Sequence, residues 1–589
     1  MMTRRRVLFV SLVLLTVLSL VWLMITVLPA GPSASWFHWV IVVAFACVLP
    51  WTVIGFWNAS IGLLIDLLSR NPLRVVNAGA AQTPEDLPLT ESTALLLCIR
   101  NEVPDRLVRN LQAMISSLGK SPYHNKFHVY VLSDTTDVAV AAMEQRMFGV
   151  LADQWAGKIS VTYRRRDNNR AYKAGNIEDF CDRWGHLHTF ALVLDADSLM
   201  DASAIERLVR VMTANPQIGI LQGLVVGLPS RSAFTRLFQF GMRLGMRSYT
   251  LGSAWWQGDC GPYWGHNAVL RIKPFSEGCR LPVLADRHGK SSYILSHDQV
   301  EAVLMRRAGY EVRVFPLEDQ SYEENPPTLV EFIQRDLRWC AGNMQYVHLL
   351  SMTGLKFTSR VQLLLAILMF AGAPAWIVLL SMVSWTLGTD SSLLEQIDLT
   401  HAGVLLLAVM TMMLLPQLAS AIGVLVRPSS RKAFGGAIRF VTGLLLQILF
   451  ALMVTPILWV SQSVFLFGLL AGKRITWASQ NREAHRIDWL DAIRSFGFHT
   501  LVGVVMAWPV FDMGAGAILI ASLFMGGLWL AIPLAVLTSR PKLGEWLVRH
   551  RLLCLPEETR PPRLLEEIAR SMAVISTLPG PNHVAPESR

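Results

Sequence analysis

The 589 residues are 52% hydrophobic and only 16% charged, with a mean hydropathy of +0.39, a balance that excludes an ordinary soluble protein and points to the membrane class. The formal net charge of +10 does not signal nucleic acid, because Lys and Arg gather beside apolar runs, at Arg4–Arg6, Arg427–Lys432 and Arg540–Arg551, as the positive-inside rule requires. Seven cysteines stand singly with no CxxC pair, which argues for reduced thiols and against a zinc site or a disulfide framework.

In chain order, Arg4–Arg6 precede an apolar run to about Leu28, longer than the ~7–15-residue core of a signal peptide. A second run covers Trp36–Trp57, and each supplies the ~20 residues that a bilayer core requires. They predict a membrane hairpin over 1–72 with both ends on the Arg-rich, cytoplasmic side. Residues 73–355 hold no stretch able to cross and form the expected cytoplasmic domain. Apolar runs resume at Gln362–Trp385, Gly403–Val426, Phe440–Val454, Ile457–Leu470, Thr500–Phe511 and Ala515–Val536. The acidic loop Gly388–His401 suits the outside, while the basic stretches Arg427–Arg439 and Lys473–Arg494 suit the inside. That assignment makes Phe440–Leu470 cross twice or re-enter, with Thr455-Pro456 as its turn. About eight spans are expected, or six if the short segments are re-entrant. The membrane region is then 356–540, with an amphipathic cytoplasmic loop at 473–494, and 541–589 is a cytoplasmic tail, disordered from about Thr577.

Within 73–355, short apolar runs alternate with amphipathic segments. Ala94–Ile99, Phe127–Leu132, Ile159–Tyr163, Phe190–Leu194 and Ile218–Gln222 read as buried strands, and Arg106–Ser117 and Ala202–Thr213 as helices. This is an α/β pattern with a mainly parallel sheet, whose ligands bind at the carboxyl ends of strands.

Polar residues recur at those ends. Arg100 and Glu102 follow the first strand, Asp134 the second, and Asp195-Ala196-Asp197 the fourth. The paired carboxylates Asp195 and Asp197 suit Mg²⁺ or Mn²⁺ bridging to a diphosphate. Lys173-Ala174-Gly175-Asn176 follows the basic run Arg164–Arg166 and Arg170, a loop suited to phosphate. Asp298, in Ser296-His297-Asp298 ahead of a helical stretch, can serve as an N-cap or as a general base. In Arg335-Asp336-Leu337-Arg338-Trp339, Arg338 can bind diphosphate and the Trp339 ring can carry a sugar; an interfacial anchor is the other reading.

Together these motifs resemble the ordered motifs of membrane-integrated family 2 glycosyltransferases, the group that contains cellulose and hyaluronan synthases. The resemblance implies a GT-A fold inserted between transmembrane helices and an inverting displacement at the sugar C1. It further implies that Asp134 contacts uridine, Lys173 and Asn176 the nucleotide side, Asp195 and Asp197 the metal and diphosphate, and that Asp298 is the base. Arg100, Glu102 and Arg338 join the donor-binding candidates.

A closer similarity lies in Gly258–Ala268, Ser296–Asp298, Ser321-Tyr322-Glu323-Glu324 and Arg335–Asn343. These stretches resemble the bacterial inner-membrane glucosyltransferases that build the backbone of osmoregulated periplasmic glucans. The likeness implies UDP-glucose as donor, a growing β-1,2-glucan as acceptor, processive synthesis and export across the inner membrane. Asp259, Tyr263, Trp264 and His266 join Trp339 as acceptor-binding candidates. Membrane lipid, an acyl carrier protein and a periplasmic glucan-processing protein are the partners implied. Two departures stand out: Arg335 occupies the place of a Gln in the cellulose-type motif, and this chain enters the membrane almost at once where several family members carry a long polar extension. The stretch Lys473–Arg494, with Trp477, Gln480 and Arg482, suits a gate over the site or an interfacial helix. Rival readings are a cellulose-like β-1,4-glucan synthase and a transporter with a cytoplasmic regulatory domain.

Overall fold

The computed structural model describes residues 2–28, 36–285, 291–389, 396–473 and 484–577. A mixed sheet organises the region between the two groups of membrane helices. Its strands are β1 (Thr93–Ile99), β2 (Phe127–Ser133), β3 (Ser160–Arg165), β4 (Phe190–Asp195), β5 (Leu199–Met200), β6 (Ile218–Gly227), β7 (Ala268–Arg271) and, after a small separate hairpin of β8 (Leu284–Ala285) and β9 (Ser291–Ser292), β10 (Glu311–Glu323). They lie in the order β3-β2-β1-β4-β7-β6-β10-β5. The first four neighbours are parallel, β7 runs antiparallel to both β4 and β6, and β10 returns parallel to β6.

All seven residues of β1 and all ten of β6 are buried, which is why these segments read as unbroken apolar runs: a sheet covered on both faces needs no polar alternation. One face is packed by helices Pro104–Leu118 and Ala202–Ala214, the other by Tyr172–Trp184 and Asp298–Arg307. The carboxyl ends of β1, β2 and β4 therefore open side by side on one edge. This is the GT-A-type α/β arrangement expected, held between membrane helices.

Among the described residues, six helices are long and apolar enough to cross a membrane: Met2–Val27, Trp36–Leu68, Phe357–Gly388, Leu399–Val426, Ala437–Leu470 and Trp489–Met513. A seventh unit, Ala515–Trp529 with Ala531–Thr538, is bent by 59°. The chain is thus a multi-pass membrane protein with about six spans, the lower of the two counts expected and short of eight. The difference arises at Pro456, which sits inside the continuous helix Ala437–Leu470 instead of making a turn. Pro456, Ile457, Trp459 and Val460 are all buried there, so the backbone group freed by proline is sheltered by protein and away from lipid, the condition under which membrane helices tolerate proline. The gate residues Trp477, Gln480 and Arg482, the centre of the acidic loop at 390–395 and the tail at 578–589 lie outside the described residues.

A helix that sequence periodicity missed, Ala233–Gln257, joins the two regions. It lies against the membrane helix Trp36–Leu68 so closely that a Cβ on Gly62 would fall 1.8 Å from Ser248 O, and one on Gly252 1.9 Å from Asn58 O. Trp256 Nε1 donates to Asn58 Oδ1 at 2.9 Å across this contact. Arg247 and Arg427 both pair with Asp66, at 3.0 and 2.7 Å.

Candidate active site

The open edge of the sheet forms a cleft of about 300 Å³. Its lining includes Arg100 and Glu102 after β1, Asp134 after β2, Lys173 and Asn176 on helix Tyr172–Trp184, and Asp195 and Asp197 after β4. From the opposite side come Trp264, His266, Asp298, Arg338 and Trp339. Twelve of the fourteen candidates named from sequence share this one cavity. Three non-glycine residues that line it, Asn101, Ala171 and Tyr172, have φ between 51° and 55°, a left-handed conformation that persists only where surroundings impose it and that clusters at functional sites. Asn101 shows the imposition: its N–H donates to Thr135 Oγ1 at 2.9 Å and its Oδ1 accepts from the amides of Thr136 and Asp137. The loops after β1 and β2 are thereby stitched together.

On the sheet side, the Lys173 ammonium contacts the Asp195 carboxylate and donates to Gly265 O at 2.7 Å. Burial opposes its charge, but the neighbouring Asp195 carboxylate outweighs burial and holds its pKa above the usual lysine value, so it stays cationic. Asp134 receives both prongs of the Arg166 guanidinium, at 2.8 and 2.7 Å. Arg166 also donates to Tyr172 O at 2.9 Å, so this member of the basic run organises the turn ahead of Lys173. Asn176 is almost fully buried. Its carbonyl accepts from Arg164 at 2.6 Å and its amide donates to Leu132 O at 2.9 Å, which commits its polar atoms to the scaffold beneath the cleft.

Asp195 and Asp197 project from one turn, fixed by the Asp195 N–H donating to Ser198 Oγ at 2.9 Å. Among the described residues no three His, Cys, Asp or Glu side chains converge as a closed cage. A divalent ion at this turn would share its coordination between these carboxylates, water and phosphate oxygens, the usual habit of Mg²⁺.

On the far side, Asp298 opens helix Asp298–Arg307. Glu323, at the end of β10, faces the cleft 3.5 Å from His266 Nε2; burial pushes its carboxyl upward in pKa. Arg335 lies over the Trp339 ring at 4.8 Å and over Phe238 at 5.6 Å, an arrangement that props the half-exposed Trp339 against the cleft mouth.

Two candidates lie elsewhere. Asp259 does not line the cleft; its carboxylate pairs with Arg6 of the first membrane helix and with Arg306 at 2.6 Å. Tyr263 is buried, 1% exposed, in the apolar core behind the cleft. Sequence reasoning quoted Glu323, Arg335 and His297 within motifs but gave them no role in the site, and it did not single out Glu301. Glu323 obeys the same rule as Asp195, a carboxylate closing a strand; β10 went unrecognised because charged residues interrupt it.

Two family models match the chain: "Glycosyl transferase family group 2" over residues 190–536 and "Glycosyl transferase family 2" over residues 95–279. "Glucans biosynthesis glucosyltransferase H" of Xanthomonas oryzae pv. oryzae is 34% identical over 92% of this chain and 86% of its own. The protein of the same name from Xylella fastidiosa is 33% identical over 93% of this chain and 87% of its own. A solved structure, "Mannosyltransferase PcManGT from Pyrobaculum calidifontis in complex with GDP-Man and Mn2+", aligns with 63% of this chain and 98% of its own at 14% identity and a TM-score of 0.38. With relatives above 30% identity along nearly their whole length, this chain belongs to the glucans biosynthesis glucosyltransferase H family within glycosyltransferase family 2.

Proposed function

We propose that this membrane glucan synthase is an inverting, processive enzyme that uses UDP-glucose to build a β-1,2-glucan backbone and passes it across the bacterial inner membrane, with its cleft in the cytoplasm. The observation that carries the reading is the placement of Asp298 across one cleft from Asp195, Asp197 and Lys173, with Trp339 beside them. An acceptor hydroxyl attacks the glucose C1 as the bond from C1 to the diphosphate oxygen breaks. Asp298 takes the hydroxyl proton, and the charge that develops on the departing UDP falls near Lys173 and Arg338. Most of the acceleration then comes from charge already in place. Asp195 and Asp197 would hold Mg²⁺ or Mn²⁺, which neutralises diphosphate charge when bound.

Arg100, Glu102 and Asp134 serve the donor in this reading, and Trp264, His266 and Trp339 the acceptor. Support for polymer export is that the helix carrying Trp339 also contacts a membrane helix, through Asp336 and Gln462. Glucose and the β-1,2 linkage rest on family likeness. The test is purified protein supplied with UDP-glucose, with UDP release and product linkage measured. The expected product is 2-linked glucan; a 4-linked product overturns the linkage, and no UDP release overturns the enzyme reading.

A further inference from the structure

Below Asp298 lies a buried ion pair that the transfer step described above does not use. His297 Nδ1 and Glu301 Oε2 are 2.8 Å apart, and the residues are 8% and 2% exposed. His297 caps helix Asp298–Arg307 and Glu301 lies one turn on, so the two flank Asp298, and the Glu301 N–H also donates to His297 O at 2.9 Å. Burial works against charge on both, yet Glu301 outweighs it and raises the His297 pKa above the usual histidine value.

The pair has a geometric consequence for Asp298. His297 holds the N-cap position but makes no side-chain capping bond; its ring is committed to Glu301. The segment is pressed from two further sides. Gly265, at φ +83°, leaves room that a side chain would fill: a Cβ there would lie 3.3 Å from Asp298 Cβ and 3.8 Å from His297 Cε1. A Cβ on Gly342 would lie 2.6 Å from Ser296 N, and Tyr346 Oη donates to Ser296 O at 2.9 Å. The Gly265 turn that meets Asp298 and His297 is the same turn whose carbonyl holds Lys173.

We propose that His297 and Glu301 are positioning residues that fix the direction of the Asp298 carboxylate and, through the Gly265 turn, its alignment with Lys173. The inference rests on the reading of Asp298 as the base. A buried acid whose partner is the residue ahead of the base locks the first helical turn, and a reacting group displaced by about 1 Å loses on the order of 100-fold in rate.

The test uses full-length protein in detergent with UDP-glucose and compares Glu301→Gln, the neutral pair His297→Gln/Glu301→Gln and Asp298→Asn. Glu301→Gln is expected to lower kcat about 10- to 100-fold while KM for UDP-glucose and Kd for UDP stay within about twofold. The neutral pair, which restores a side-chain hydrogen bond, is expected to recover part of kcat, and it carries the test alone, by a kcat below wild type at unchanged KM, should Glu301→Gln fail to bind UDP. Wild-type kcat in both pair variants, or a lowered melting temperature with kcat per UDP-binding site unchanged, overturns the inference while an inactive Asp298→Asn leaves the base assignment standing. Full activity in Asp298→Asn instead overturns the base assignment itself.

Discussion

The Asp336 carboxylate, one residue after Arg335 on the helix that carries Trp339, accepts a 2.7 Å hydrogen bond from Gln462 of membrane helix Ala437–Leu470. Burial raises its pKa from the ordinary 3.8 to about 6, against the pull of Gln462 and Arg335. A carboxyl raised in the folded state is tolerated while protonated and opposes folding once ionised. The penalty is therefore absent below pH 3.8, grows as pH rises, and is complete above about 6. Asp336→Asn keeps the shape and an acceptor for Gln462 without the charge. It should raise thermal stability at pH 8 by up to about 3 kcal/mol and leave it unchanged near pH 4, as measured by melting in detergent at the two pH values.

The proposed chemistry separates binding from transfer. Asp298→Asn should leave UDP affinity within about twofold and reduce polymer synthesis by at least the 100- to 10,000-fold that a positioned general base supplies. Asp197→Ala should instead weaken UDP binding and remove most of its dependence on added Mg²⁺ or Mn²⁺. Calorimetric UDP titrations with and without metal, run beside the transfer assay, distinguish the two; polymer at the normal yield from Asp298→Asn would rule out its role.

Local pattern and long-range pairing divide what the sequence could reveal. The strands ending at Ile99, Ser133 and Asp195 were legible because a fully covered sheet demands continuous apolar runs, and their terminal polar residues marked the cleft. Pro456 misled because proline as a breaker is a rule for exposed helices, and packing by neighbouring helices suspends it. Asp259 misled for another reason: it lies in a motif rich in cleft residues, but its partner Arg6 is 253 positions away. Glu301 stands in a helical stretch with nothing local to set it apart, and its burial comes from the fold.

The segment after the last membrane helices was read as a tail, but part of it is anchored. Arg243, 6% exposed, pairs with Glu557 at 3.0 Å and Glu318 at 2.6 Å, and Arg236 pairs with Glu558. Leu564 then enters the core of the sheet domain. Removing Glu557 leaves Arg243 with Glu318 as its remaining carboxylate and costs about 1.5–3 kcal/mol, the range for losing hydrogen bonds to a charged group. Glu557→Ala should thus destabilise the protein by that order and expose residues 541–577 to limited proteolysis, whereas Glu566→Ala, at a partly exposed position paired with the exposed Arg570, should do neither.

Asp259 provides the contrasting case at the other end of the chain. Burial alone would raise its pKa, but Arg306 and Arg6 overcome that and hold it below the ordinary 3.8. A depressed acid stabilises the fold above its unfolded pKa and ceases to do so as pH falls through the lower folded value. The contact of the first membrane helix with the catalytic region should therefore weaken only below pH 3.8. Asp259→Asn should cost about 1.5–3 kcal/mol at pH 7, the range for losing hydrogen bonds to charged groups, and progressively less as the solution is acidified. Since Asp259 lies outside the cleft, kcat and KM of the folded variant should match the parent. A KM for acceptor that rises several-fold while stability stays constant would return Asp259 to the acceptor site.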